Sequence, residues 1–284
     1  MKGATPMSLV IDAQVHIWGP STPERPWPPG HGEPQRAEPL SGDELLSDMD
    51  RCGVHRAVLV PPSWQGDGND FALEAARAHP DRFAVMGRFD ALSAPRPEAL
   101  ETWCDDPAML GVRLTLHTED GIRALARREL DWFWRAAQEH AVPVMIYAPG
   151  NLAAVDDLAR RFPRLVLTVC HAGLPLEDLG DRVWAELEHL WPLAEHDNVA
   201  VKAASLPYYV REPWPFAELQ GVVRRMVDVF GPRRVFWGSD LSRLPCAYDD
   251  LVRFFRDLDF LSADERDQVL GRGIAEWLRW TTDD

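Results

Sequence analysis

The chain has 284 residues, 46% of them hydrophobic and 26% charged, enough apolar material for a packed core in a soluble protein. Its 45 acidic and 30 basic side chains leave a formal net charge of −15, which argues against nucleic-acid and anionic-membrane partners. No apolar run reaches the ~20 residues of a membrane span, the N-terminus MKGATPMSLV lacks a secretion signal's apolar core, and Cys52, Cys104, Cys170 and Cys246 form no C-x-x-C pair, so the expected location is a reducing cytoplasm.

The first strand candidate, Leu9–Asp12, runs directly into Gln14, His16 and Trp18. Residues 19–40 follow with seven prolines and three glycines, which rules out regular structure there. Ser41-x-x-Glu44 is a capping box ahead of Leu45, Leu46 and Met49, and so opens a helix. Ala57–Val60 then reads as a strand, Phe71–His79 as a helix, Ala84–Arg88 as a strand and Glu98–Trp103 as a short helix. The alternation continues through strand Gly111–Leu114, helix Arg123–His140, strand Val142–Ile146 and helix Leu152–Phe162. It ends with strand Leu165–Val169, helix Arg182–Glu195, strand Val199–Val201, helix Phe216–Phe230, strand Val235–Phe236, helix Asp249–Leu258 and a last segment, Ala263–Trp280. Eight continuously apolar strands, each followed by helical periodicity, predict a single α/β domain over residues 1–284, a (β/α)8 TIM barrel with parallel strands. A doubly wound sheet would carry a glycine-rich phosphate turn after the first strand, and none is present.

Active sites of such barrels lie at the C-terminal ends of the strands, and the polar residues of this chain collect there. Strand one is followed by Gln14 and His16, strand four by Arg113 and His117, strand five by Tyr147 and strand six by His171. Strand seven is followed by Lys202, and strand eight by Ser239 and Asp240. Asp12 is read as structural, bonding to neighbouring strands. Residues 19–40, 204–216 and 241–248 fall on the same rim as irregular loops, and their aromatic and polar side chains suit a substrate pocket. Trp18 and Arg243 join Gln14, Arg113 and Lys202 in the candidate substrate-binding set. Trp277–Trp280 is a candidate homodimer surface.

The stretches IDAQVHIW, VCHAGLP and VFWGSDLSRLP resemble the strand-one, strand-six and strand-eight motifs of the amidohydrolase superfamily. They are most similar to its amidohydrolase-2 branch, which holds 2-pyrone-4,6-dicarboxylate lactonases and fuconolactonase-like hydrolases alongside zinc-dependent decarboxylases. The likeness covers about residues 9–245. By resemblance, His16, His171 and Asp240 match family positions. Gln14 stands where the family usually has histidine, Tyr147 where metal-binding members have one, and Gly273 replaces part of the common Asn-Ala near the C-terminus. Zn²⁺ could be held only through His16, His171 and Asp240, because Gln14 is a weak donor and Tyr147 a poor ligand unless ionised. Some lactonases of the branch work without metal and have a tyrosine after strand five.

These readings lead to a metal-independent hydrolase that opens a lactone or similar cyclic ester bearing carboxylate or hydroxyl groups. Asp240 is the expected general base, His16, His171 and Tyr147 the other catalytic groups, and the substrate a small anionic or hydroxylated molecule. The alternatives are a zinc-dependent decarboxylase of an aromatic acid on the same fold, and a barrel that has lost catalysis and only binds a small molecule.

Overall fold

The computed structural model describes residues 8–29, 32–176 and 181–280; positions 30 and 31 of the proline-rich loop, His31 among them, lie outside the described residues. Eight strands run in chain order around a barrel: β1 (Ile11–Val15), β2 (Arg56–Leu59), β3 (Phe83–Arg88), β4 (Met109–Thr115), β5 (Val144–Tyr147), β6 (Leu167–Val169), β7 (Val199–Ala204) and β8 (Val235–Gly238). All seven ladders are parallel. Every strand is buried along its length except at the last residues of β3 and β4, the burial that a helix-wrapped parallel sheet imposes.

No ladder joins β8 to β1, and this seam is closed by specific contacts. Asp240 donates its backbone N–H to the Gln14 carbonyl at 2.8 Å, and Ser239 donates its N–H to Asp12 Oδ1 at 2.8 Å. Tyr248 donates its hydroxyl to Asp12 Oδ2, also at 2.8 Å. Asp12 is therefore structural, as expected. Burial pushes its carboxyl up to about 6, against hydrogen bonds from Ser239, Gln14 and Tyr248 that pull the other way. A side chain at Gly238 would meet Gln14 Cβ at 3.1 Å, so close approach at the seam favours glycine there.

The helices pack outside the barrel: α1 (Gly42–Cys52), α2 (Asp70–Ala78), α3 (Glu119–Ala126), α4 (Asp131–Glu139), α5 (Leu152–Arg161), α6 (Asp181–Ala185), α7 (Ala217–Phe230), α8 (Tyr248–Arg256), α9 (Ala263–Asp267) and α10 (Gly273–Trp277). The capping box forms: Ser41 Oγ accepts from the Glu44 N–H at 3.2 Å, and the Glu44 carboxylate accepts from the Ser41 N–H at 3.3 Å. Three expected helices differ. The segment 123–140 breaks between α3 and α4, where Arg128 takes φ 61°. The segment 98–103 is reduced to a 3-10 turn, Pro97–Leu100, and Arg182–Glu195 begins in α6 and ends in two 3-10 turns.

The two tryptophans of Trp277–Trp280 do not stand exposed, although Arg279 between them does. Trp280 is buried and lies under Arg56 with 5.2 Å between guanidinium carbon and ring centroid, while Trp277 donates Nε1–H to Thr168 Oγ1 at 3.1 Å. Both tryptophans pack on the barrel itself, which accounts for the apolar character of this segment. Among the described residues no helix is long and apolar enough to cross a membrane.

Candidate active site

Three successive strand ends turn the same way. His171, Ser205 and Asp240 follow β6, β7 and β8 and take φ values of 53°, 61° and 51°. Left-handed backbone at a non-glycine residue costs roughly 1–2 kcal/mol, and such outliers cluster at functional sites. Here the turns bring three side chains into one buried chain of hydrogen bonds. Ser205 donates its hydroxyl to Asp240 Oδ2 at 2.8 Å and lies 3.1 Å from His171 Nδ1. The other carboxylate oxygen, Asp240 Oδ1, faces His16 Nε2 at 3.2 Å.

His16 is held from two more sides. Its Nδ1 donates to the Val60 carbonyl at 2.6 Å. Its Nε2 lies 3.3 Å from Gln14 Nε2. Lys202 sets the direction of that contact, because its ammonium hydrogen-bonds to Gln14 Oε1 and an ammonium only donates. The amide nitrogen of Gln14 therefore points at His16 Nε2, and Nε2 stands between a donor, Gln14, and an acceptor, Asp240. Lys202 Nζ also donates to the Ala13 carbonyl at 3.3 Å and lies 3.2 Å from Met145 Sδ. Lys202 is fully buried, and burial pushes its ammonium down to about 8.

The titration of the group follows from this packing. Burial drives His171 down to about 3, more than the neighbouring Asp240 carboxylate can offset, so the imidazole is neutral at pH 7. Burial also acts to raise Asp240, but the hydrogen bond and charge of His16, the charge of His171 and the Ser205 hydroxyl outweigh it. Its carboxyl is held well below the usual carboxylate range. With His171 neutral, the support for that charge comes from the Ser205 hydroxyl and, whenever its Nε2 carries a proton, from His16.

Facing these residues is a second wall made of arginines. Arg88 ends β3 and Arg113 lies in β4, and the two are register partners across the ladder. Arg113 is 6% exposed, and its Nε and Nη1 have no hydrogen-bond partner among the described residues. Its guanidinium lies over the Tyr147 ring at 5.5 Å. Arg88 Nε is 3.4 Å from Asp67 Oδ1. Burial lowers the Arg88 guanidinium from its ordinary range; Asp67 acts against that and Arg113 adds to it. Arg243 reaches in from the loop after β8, with Nε 4.0 Å from Asp240 Oδ2 and its guanidinium over Tyr208 at 5.4 Å. The two walls enclose an inner chamber of about 130 Å³, which opens past Arg88, Arg113 and His117 into a vestibule of about 640 Å³, the size of a small-molecule site.

A family model described as "Amidohydrolase" matches residues 11–280. The chain belongs to the amidohydrolase family. It is 29% identical to an L-fucono-1,5-lactonase of Burkholderia ambifaria, with 96% of each chain covered. It is 25% identical to a 4-sulfomuconolactone hydrolase of Rhizobium radiobacter, over 91% of this chain and 85% of that one. Among solved structures, a Burkholderia multivorans amidohydrolase crystallised with zinc superposes with a TM-score of 0.80 at 22% identity, covering 95% of this chain and 99% of that one.

In this amidohydrolase the three candidate zinc donors, His16, His171 and Asp240, do not converge as a three-ligand set among the described residues. His16 Nε2 and Asp240 Oδ1 contact each other, and Ser205 takes both Asp240 Oδ2 and His171 Nδ1. Gln14 has its amide oxygen on Lys202. Among the described residues no three His, Cys, Asp or Glu side chains converge as ligands. The donor set present does not fit a zinc ion.

The structure brings His16, His171, Asp240, Tyr147, Arg113 and Arg243 to the inner chamber. It does not bring Lys202, Gln14 or Trp18 to it. Lys202 and Gln14 support His16 instead, because the Lys202 side chain of β7 crosses the barrel interior to reach Ala13 and Gln14 of β1. Trp18 is buried against Trp64, at 5.2 Å and edge-on, and Trp64 lines the chamber in its place. Tyr147 contributes its ring. Its hydroxyl donates to the Leu174 carbonyl at 3.2 Å and accepts from the Leu176 N–H at 3.1 Å, so it ties down the loop after β6. Arg88, Ser205 and Gln35, the last a chamber-lining residue that pairs with Ser242, are not singled out from the sequence. Arg88 carried a usable signal, an arginine closing an apolar strand; Ser205 and Gln35 carried none.

Proposed function

We propose that this amidohydrolase opens a lactone by hydrolysis, on a substrate that carries an acid group beside the reacting ester, and that it does so without a resident metal. The observation that carries this reading is the buried, unpartnered edge of Arg113 facing the His16–Asp240 couple across one small chamber. A buried guanidinium with unmet donors is costly unless an anion completes it, and its planar fork suits a carboxylate or sulfonate. The lactone substrates named for its sequence relatives support the reaction class.

Water bound beside the couple loses its proton to His16 Nε2, and Asp240 Oδ1 holds the imidazolium that results. Asp240 Oδ1 accepts the Nε2–H of that imidazolium, so the two act together as the base, in place of the lone Asp240 expected from sequence. As the water oxygen bonds to the lactone carbonyl, Arg243 offsets the oxyanion, being the cation nearest Asp240. The ring C–O bond then breaks, and His16 returns the proton to the departing oxygen. The products are the hydroxy acid or its enol form, with no net proton taken from the protein. Arg113 and Arg88 hold the remote acid group throughout; Lys202 gives up that role to Arg88.

The test is a panel of neutral and acid-bearing lactones, run on protein dialysed against a strong chelator and analysed for bound metal. Acid-bearing lactones should be turned over, unaffected by the chelator, with kcat/KM roughly 10–10² above that of neutral analogues, the value of one or two charge-assisted hydrogen bonds. Activity that vanishes with chelation and returns with zinc overturns the metal-free reading. A preference for neutral lactones overturns the acid-group reading. Tight binding with no turnover of any lactone overturns hydrolysis.

A further inference from the structure

We propose that Ser205 is a positioning residue that fixes His171 with its proton on Nδ1, making Nε2 the nitrogen that faces the occupant of the chamber. The inference deepens the hydrolytic reading in its kinetic consequences, but its structural part stands without a substrate. A serine hydroxyl has one hydrogen. Asp240 Oδ2, 2.8 Å away, is an ionised acceptor and claims it. His171 Nδ1, 3.1 Å from the same oxygen, must then supply the hydrogen for its own contact. This holds whether the imidazole is neutral or charged, so it does not depend on the protonation state of His171. No protein atom among the described residues bonds Nε2, and the ring lines the chamber.

Two features separate this role from others a buried serine could have. Ser205 does not line the chamber and is 2% exposed, so a substrate carbonyl has no path to its oxygen and it is not a nucleophile. Its left-handed backbone matches those of His171 and Asp240. The three turns together place one hydroxyl between an imidazole and a carboxylate. The Tyr147 ring, edge-on to His171 at 5.3 Å, closes the other side. Asp240 thus serves both histidines, His16 through Oδ1 directly and His171 through Oδ2 and Ser205.

The experiment is nitrogen-detected NMR of the imidazole rings in substrate-free protein, with the His171 signals assigned by their absence in His171→Gln. The wild type should show His171 protonated at Nδ1. Proton on Nε2 alone overturns the proposal outright, and this arm needs no variant of Ser205 to fold. Ser205→Gly then tests the hydroxyl without opposing the backbone, since glycine accepts a φ of 61° readily. It should populate both tautomers and lower kcat on an acid-bearing lactone roughly 10–10²-fold, as expected for a lost hydrogen bond to a charged partner, while KM stays within about twofold because the arginine wall is untouched. An unchanged tautomer with unchanged kcat overturns the proposal. If the tautomer shifts but no lactone is ever a substrate, the positioning role stands and the hydrolytic reading falls.

Discussion

The two walls of the chamber are completed to different degrees. On the side built by β1, β6, β7 and β8, most charged and hydrogen-bonding groups find partners within the protein, although Asp240 Oδ1 meets His16 only as an ion-pair contact and Ser239 Oγ has no hydrogen-bond partner among the described residues. Asp240 has His16 and Ser205, His16 has Val60 and Gln14, and Gln14 has Lys202. On the side built by β3 and β4, two guanidiniums stand together with one nearby carboxylate, and Arg113 leaves two nitrogens unsatisfied. A wall that satisfies itself keeps its geometry with or without ligand, which suits proton transfer. A wall with unmet donors gains most when an anion arrives, which suits recognition. The difference divides chemistry from selection, and each half can be broken separately.

The largest effect should come from the finished wall. Asp240→Asn removes the charge that holds a His16 imidazolium, and kcat should fall by roughly 10²–10⁴, the range for loss of a general acid–base group. KM for an acid-bearing lactone should change little. A comparable rise in KM would show that Asp240 belongs to recognition instead.

Next comes the unfinished wall. Arg113→Met should raise KM for acid-bearing lactones roughly 10–10²-fold and leave turnover of neutral lactones nearly unchanged. Arg88→Gln should act in the same direction with a smaller effect, about fivefold to tenfold, because Asp67 already engages that guanidinium. Steady-state kinetics on matched neutral and anionic substrates checks both. Equal losses on the two substrate types would erase the division between the walls.

The smallest effect is on stability, and it sets two buried groups, Asp12 at the seam and His171 after β6, against each other. Asp12 is raised from 3.8 to about 6, so the folded protein binds the extra proton between those values and stability falls as pH rises through them. His171 is lowered from 6.5 to about 3, so there the unfolded chain binds the extra proton and stability rises with pH. In the wild type the two oppose each other from about pH 4 to 6. His171→Gln should leave stability falling with pH across that window, and Asp12→Asn should leave it rising, each by at most about 1.4 kcal/mol per pH unit. Urea unfolding at a series of pH values measures the slopes, and two variants with the same sign of slope would show that other groups dominate.

Much of this was legible in the chain itself, for physical reasons that differ by element. The strands were readable because parallel strands buried on both faces are continuously apolar. The α1 boundary was readable because Ser41 and Glu44 satisfy each other locally. The helix expected over 123–140 was not, because its break at Arg128 is a left-handed turn with no glycine or proline to mark it. Within the site, His16, His171 and Asp240 were visible as polar residues closing apolar runs. Lys202 looked the same in sequence yet points inward, since strand side chains alternate and its facing depends on the barrel's interior.

The order of strands and helices, the acidic surface and the polar residues at the strand ends are properties of local sequence, since apolar period and turn chemistry act over a few neighbouring positions. Which of those residues touch was decided only when the sheet curled into a barrel. Ser205 and Asp240 are 35 positions apart, and Lys202 and Gln14 188 apart. Contacts of that kind depend on strand register and on three left-handed turns, and neither leaves a periodic mark in the sequence.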